Sequence, residues 1–411
     1  MTPTVPPPDY HAARRSIALA TFLTLVPLTL VVAGLNELVI VALHGTRADA
    51  HAFTAVNMAT GIVGVPIALA MFRRRPNLRV WLVATLLIDA LAFLGMYTAT
   101  SVPVLLAWRA LDGFVHLPAV TLLMVAANRL AGEKRGSTLG LVASSLMIGV
   151  AVGSPLGGWL VMRGPGAVYL TAAALLVVAA LASLAIPPIP GGAAAGPAHR
   201  YQWNRRSLAT WMPLAFGFID RFTIGVFVST FTLYLSEVQR ISPSERGVLM
   251  SLFMVPFSLL CWPIGRLADH IGWYGPAIVG TIAFGVVYGS YGLVPGAWLP
   301  VAMVASGLAS ALMFAPVLIL VSEFARRGAG EGLFGVFQIA GSFGFLFGPM
   351  AGGLAVEITR RRTGVPAYDA IFMAVGASVV VLGLLAAVVL APVARAWRAE
   401  DERHSVPTTN A

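Results

Sequence analysis

The sequence predicts an all-α integral membrane protein, with twelve transmembrane helices arranged as two pseudo-symmetric six-helix bundles. Three observations carry that expectation. Of 411 residues, 58% are hydrophobic and only 11% are charged, with a mean hydropathy of +0.84. Apolar runs long enough to cross a bilayer recur along the chain. Five glycines of one such run return 195 residues later in another.

A soluble domain carries about 25% charged residues. Less than half that fraction leaves too little polar surface to hold a particle of this size in water. A bilayer-spanning helix needs about 20 apolar residues, and lipid offers the backbone no hydrogen-bond partner, so helix is the assignment for each run. The spans are expected near 16–40, 52–72, 80–98, 103–126, 137–162 and 167–186, then near 210–236, 246–265, 276–295, 299–322, 333–355 and 371–394. The run at 16–33 follows Arg14 and Arg15. It is too long for the core of a cleaved leader and is read as the first membrane helix.

The net charge of +10 does not point to nucleic acid. The 26 arginines and one lysine mostly cluster between apolar runs, where they set orientation. With the N-terminus inside, 18 of these 27 residues fall in inner loops and tails and 7 in outer loops. Both termini are therefore expected in the cytoplasm, in a cell inner membrane. The run Arg360, Arg361, Arg362 is the exception, in an outer loop. The single cysteine, Cys261, lies in an apolar run and is read as a buried, inert thiol.

The segment 187–206, PPIPGGAAAGPAHRYQWNRR, has the composition of a flexible linker with a basic end. It divides the chain into a first bundle at 1–186, a linker at 187–208 and a second bundle at 209–411. The repeat supports the division. Gly140, Gly149, Gly153, Gly157 and Gly158 pair with Gly335, Gly344, Gly348, Gly352 and Gly353, and a proline interrupts each run, Pro155 and Pro349. Two halves related by an axis along the membrane normal give such spacing.

These features resemble the major facilitator superfamily over essentially the whole chain. GVAVGSPLGG at 149–158 is similar to that family's fifth-helix motif, associated with proton-driven antiporters. Glycines four apart on one face also let helices pack closely in any membrane protein. RALDG at 109–113 is similar to the motif whose arginine the family uses in proton coupling, which implies that role for Arg109. GRLADHIG at 265–272 is similar to the family's inner-loop signature. The resemblance implies that Asp269 contacts a helix N-terminus when the inner gate is shut, with Gly265 and Gly272 shaping the loop; a plain helix cap is the other reading of Asp269. The equivalent loop of the first half, ALAMFRRRPNLRV at 68–80, has no acid, and Arg74 stands where Asp269 has its counterpart. Gly149, Gly153, Pro155, Gly158, Gly344, Gly348 and Pro349 are assigned to gating and helix packing.

Charged residues at mid-depth cost about 2.5–3.5 kcal/mol each on the insertion scale, so they face the bundle interior. Asp89 falls in the third span. Arg109, Asp112 and His116 share one face of the fourth, because residues three and four apart are neighbours. An acid beside a fixed cation and an imidazole suits proton exchange; a static ion pair from Arg109 to Asp89 or Asp112 is the structural alternative. Asp220 and Arg221, adjacent in the seventh span, point about 100° apart, so Arg221 is expected to pair with a neighbouring helix. Asp220 shares a face with Phe216, Thr223, Phe227, Phe231 and Tyr234. That face is expected to line a central substrate cavity together with Gln338, although an aromatic stripe is also ordinary packing. Asn57 is read as an interhelical hydrogen-bond former.

The functional expectation is a secondary transporter working by alternating access, coupled to protons through Asp112 or Asp220. Its partners would be a small hydrophobic or amphipathic substrate moving outward, protons and the lipid bilayer. Uptake or facilitated diffusion of a metabolite, lipid translocation, and a transport-inactive sensor on the same fold are the alternatives. No nucleic-acid partner, cofactor or metal is expected, and the chain is expected to act as a monomer. Zinc-hydrolase, nucleophile-elbow and P-loop motifs do not occur, so enzymatic and ATP-driven readings are set aside.

Overall fold

The computed structural model describes residues 9–32, 34–74, 77–131, 135–188, 207–241, 243–364 and 367–405. Most of the predicted linker, 189–206, lies outside them. Among the described residues the regular structure is almost wholly helical: α1 (Asp9–Leu30), α2 (Arg47–Arg74), α3 (Leu78–Tyr97), α4 (Val102–Leu130), α5 (Arg135–Val161), α6 (Pro165–Leu184), α7 (Met212–Val226), α8 (Thr232–Glu237), α9 (Pro243–Ile271), α10 (Tyr274–Gly289), α11 (Leu299–Phe324), α12 (Gly332–Thr363) and α13 (Tyr368–Ser405). A π-helical turn, Phe227–Phe231, joins α7 to α8, so the two form one rod. Eleven segments are long and apolar enough to cross a membrane, and α10 is a shorter apolar helix of 16 residues. The ninth span was expected to reach residue 295; it ends at Gly289 and continues as turns whose amides bond back to Val286, Val287 and Ser290.

The helix ends follow local chemistry. Asn77 caps α3 by accepting from the Arg79 amide at 3.1 Å, and prolines occupy the first turn of α4, α6, α7 and α11, where no amide partner is needed. Gly272 ends α9 at φ +84° and Gly364 ends α12 at φ +76°, left-handed positions that favour glycine. The first span departs from the expectation of one rod over 16–40. Helix α1 closes at Leu30, and a separate π-helical turn, Asn36–Val41, follows.

The repeat in the sequence is a repeat in packing. In the first half Gly149, Gly153 and Gly157 of α5 lie against α1, close enough that a methyl on any of them would meet Leu25, Val26 or Leu30 or their neighbours. In the second half Gly344, Gly348 and Gly352 of α12 lie in the same way against Phe218, Phe222, Val226 and Thr230 of the α7 rod. Spacing by four keeps each trio on one face. The seam runs through Gly157, next to Gly158. Gly353, the counterpart of Gly158, has nothing within 4 Å of where a Cβ would stand. Pro349 belongs to the seam, its ring resting on Gly225, whereas Pro155 is exposed. Gly344→Val is expected to lower the unfolding free energy by about 1–3 kcal/mol through overpacking, whereas Gly353→Val leaves it unchanged; thermal unfolding in detergent measures both.

The two halves meet along α5 with α9 and along α2 with α12. At the first crossing Gly136 and Gly140 of α5 face Gly265 of α9 backbone to backbone. Trp262 donates its amide to the Ser144 hydroxyl at 2.9 Å. At the second crossing Gly335 of α12 rests on Val65 and Leu69 of α2. All of these contacts lie toward the end of the bundle where α1 begins and α13 finishes. The exceptional arginines sit at the opposite end beside acids: Arg360 pairs with Glu237 at 3.2 Å and Arg361 with Glu357 at 2.6 Å. These arginines, expected in an outer loop, lie instead in the last turn of α12, where the acids partly offset their charge.

Candidate functional site

Inside the first half, α2, α3 and α4 enclose a cluster of charges withdrawn from solvent. Asp89 is 0% exposed, Arg109 2%, Asp112 1% and His116 2%. The i, i+3, i+4 spacing on α4 does what the sequence implies and sets Arg109, Asp112 and His116 in one stripe. Arg109 Nη1 donates to Asp112 Oδ2 at 2.5 Å. The same oxygen accepts from Asn57 Nδ2 at 2.8 Å. The Arg109 guanidinium also lies over the Phe53 ring, 4.5 Å from its centre, and its Nε donates to the Phe53 carbonyl at 3.4 Å. Asp89 Oδ2 bonds to His116 Nδ1 at 2.7 Å, and His116 Nδ1 stands 4.0 Å from Asp112 Oδ1. The cluster is thus two linked pairs, Arg109 with Asp112 and Asp89 with His116. Donor atoms of Asp89, Asp112 and His116 lie within 4.8 Å of one another, close enough to share one small positive charge. A divalent metal is disfavoured there because the Arg109 guanidinium already occupies Asp112.

The second half corrects two expectations. Arg221 does not seek another helix for its counter-ion: its Nη1 bonds to Asp220 Oδ2 at 3.2 Å. Backbone vectors 100° apart did not prevent this, because the long arginine stem folds back toward its neighbour. Arg221 also approaches the Phe314 ring at 5.9 Å and lies against Gly341. The aromatic face of the α7 rod is turned into the second half's own core, not toward a cavity shared by the halves. Phe216, Thr223, Phe227, Phe231 and Tyr234 are all buried. Phe231 stacks near Phe227 at 4.7 Å, Tyr291 at 5.0 Å and Phe372 at 5.9 Å, and Tyr234 meets Phe372 at 5.4 Å. The Thr223 carbonyl accepts from the Tyr288 hydroxyl at 3.2 Å. A small cleft lies beside this face among Thr223, Phe227, Phe253, Tyr288 and Tyr291. The reason is aromatic pairing energy: rings that meet other rings on α10 and α13 gain more than rings left on a wet wall. Gln338 is buried, and its Oε1 has no hydrogen-bond partner among the described residues.

At the joined end, charged links close the two halves on each other. Asp269 accepts from the amides of Gly136 at 2.6 Å and Ser137 at 2.7 Å, so it caps the N-terminus of α5 from across the interface. Unsatisfied amides and the helix dipole both favour a carboxylate at that position. Arg135 bonds Glu323 at 2.5 Å, and Arg129 holds Glu331 in a two-bond pair. Ser322 bonds Asn128. Glu323 is shared with Arg326 at 2.7 Å and Arg327 at 3.1 Å. Arg327 reaches on to Glu400 and to Asp401 at 2.8 Å, and lies 4.9 Å from the centre of the Trp397 ring. Trp397 is itself packed on Phe324 and Trp273. The last turns of α13 thereby tie into the same closure. The Arg74 side chain lies outside the described residues.

Sequence reasoning placed Asp89, Arg109, Asp112 and His116 together and anticipated the Asp269 contact. It missed Phe53 as the platform for Arg109, and it missed the ion pairs of Arg129, Arg135, Glu323, Glu331 and Arg327 at the joined end. A signal existed: Glu323 and Glu331 flank the end of the tenth span beside arginines, an arrangement that two facing bundle ends would pair.

A family model described as Major Facilitator Superfamily matches residues 17–219 and again residues 214–409, one match for each half. The chain is similar to a solved structure described as the human organic anion transporter MFSD10 (TETRAN), with a TM-score of 0.72 at 14% identity; the alignment covers 92% of this chain and 100% of that one. At that identity the likeness shows the fold. No curated protein matches the sequence.

Proposed function

Because the chain belongs to the Major Facilitator Superfamily, a family of membrane transporters, we propose that it is a proton-coupled secondary transporter exporting a small hydrophobic or amphipathic compound by alternating access. The observation that carries this reading is the pairing of an ion-paired closure at one end of the bundle with a buried, titratable charge cluster in one half. Two bundles linked there by reversible ion pairs and a helix cap can rock about a central site. The arginine distribution supports placing the linked end on the cytoplasmic side of an inner membrane, so that the protein is closed toward the inside. Each elementary charge moved across 100 mV supplies about 2.3 kcal/mol, enough for roughly a fortyfold gradient.

The inward turn of the α7 aromatics withdraws their support for a purely cationic substrate. Arg221 is the more accessible member of its pair, with 18% of its side chain exposed against 10% for Asp220. That observation favours an amphipathic compound with a negative group, and the similar solved structure is of a protein described as an organic anion transporter.

The test uses the purified protein in proteoliposomes containing a pH-sensitive dye, challenged with amphipathic anions and cations in turn. A transported compound is expected to move protons the other way across the membrane, and a proton ionophore to abolish its accumulation. Equilibration without any proton movement would leave facilitated diffusion, and binding without flux a sensor; either result rejects the proposal.

A further inference from the structure

We infer that the coupling proton is carried by the Asp89–His116 pair, with Asp112 acting as the fixed counter-ion of Arg109; the inference rests on the proton-coupled reading above. It departs from the expectation that Asp112 or Asp220 carries the proton, and the reasons are geometric.

Asp112 is already committed. Its Oδ2 takes both the Arg109 guanidinium and the Asn57 amide, so a proton arriving there would displace two donors and leave Arg109 without its anion. Asp220 is similarly placed: it faces Arg221 at 3.2 Å, and protonating it would strand that cation. Asp89 and His116 are different. They share one hydrogen bond, and among the described residues Asp89 Oδ1 and His116 Nε2 have no other partner. A proton can therefore join this pair without displacing another donor.

The charge count points the same way. The ionisable groups facing the pair are Arg109 and Asp112 on α4. Neutral Asn57 of α2 reaches Asp112, and Tyr169 of α6 lies near Arg109. With imidazole neutral, one guanidinium faces two carboxylates, and the cluster carries one net negative charge in a site sealed from water. One added proton brings the sum to zero. A single uncompensated charge at that depth is costly, so the cluster is tuned to take up one positive charge and no more. The step is a plain proton transfer: water on one side loses a proton to the pair, an N–H or O–H bond forms there, and the same bond breaks when the proton leaves on the other side. No electron moves.

The test needs no knowledge of the substrate. Leu184 and Leu267 are 52% and 44% exposed on α6 and α9 near the closed end, one in each half. Spin labels on Leu184→Cys and Leu267→Cys, in a Cys261→Ala background, report that gate by pulsed electron resonance in nanodiscs. The labelled parent is expected to shift its distance distribution between pH 5 and pH 9 along a one-proton curve. Asp89→Asn and His116→Gln are each expected to remove the pH dependence, Asp89→Glu to restore it with a displaced midpoint, and Asp112→Asn to retain it. Circular dichroism and gel filtration identify any variant that fails to fold, and the surviving member of the pair then decides. Retained pH dependence in both pair variants, or its loss in Asp112→Asn alone, overturns the inference. So does a response to sodium or lithium in place of protons. A labelled parent whose gate ignores pH altogether would instead reject proton coupling itself.

Discussion

Arg109→Ala is expected to cost the folded protein about 3–5 kcal/mol, the loss typical of breaking a buried ion pair from one side. Asp112 would remain 1% exposed, with Asn57 as its only remaining strong donor. The loss has further parts. The guanidinium covers the Phe53 ring and donates to the Phe53 carbonyl, so alanine leaves a void as well as an unpaired anion. The double variant Arg109→Ala with Asp112→Ala is expected to recover part of the loss, because removing both charges costs less than removing one. Arg109→Lys is expected to recover little. A lysine ammonium cannot lie flat on a ring while donating sideways to a carboxylate and to a backbone carbonyl. Thermal unfolding of the four proteins in one detergent gives the comparison, and a single variant no less stable than the double would refute the account.

The second large effect is expected at the crossing of the halves. Gly265→Val places a branched side chain where α9 meets the Gly136 carbonyl and the Gly140 backbone of α5. Overpacking of about 1–3 kcal/mol falls on the closed state alone, which shifts the balance roughly 5- to 150-fold toward opening at that end. The label pair on Leu184 and Leu267 should report a longer distance, and transport should fall in proportion. Gly247→Val, on the same helix but with nothing within 4 Å of the added carbon, is the control and should change neither. If both valines behave alike, the close approach of α5 and α9 is not what shuts the gate.

The fold was legible because its causes are local. Apolar length, the period of the glycines and the arginine clusters are each written in consecutive residues, and the bilayer forbids most alternatives. The stripe on α4 was legible for the same reason, since Arg109, Asp112 and His116 share one helix. Partners on other helices were not. Nothing in the chain says that Asn57 rather than Asp89 meets Asp112, or that Asp89 takes His116, because helix rotation decides it. The α7 face shows the limit most clearly. Phe227, Phe231 and Tyr234 form a stripe whether they line a cavity or a core, and only the arrival of Tyr291 and Phe372 from distant rods settles which. The gate pairs were hidden by their separation, Arg129 and Glu331 being 202 positions apart.

Helix α5 is held in two different ways along its length. From Gly149 onward it is fastened to α1 by close glycine contacts, while its first turns meet α9 at Gly136 and Gly140 and through the Asp269 cap, whose hydrogen bonds water can replace. A helix of 27 residues is about 40 Å long, and swinging it by about 10° displaces a free end by roughly 7 Å. The helix then serves as a lever arm clamped near its far end. Reorienting the two bundles would then need no unwound turn and no broken glycine seam within either one.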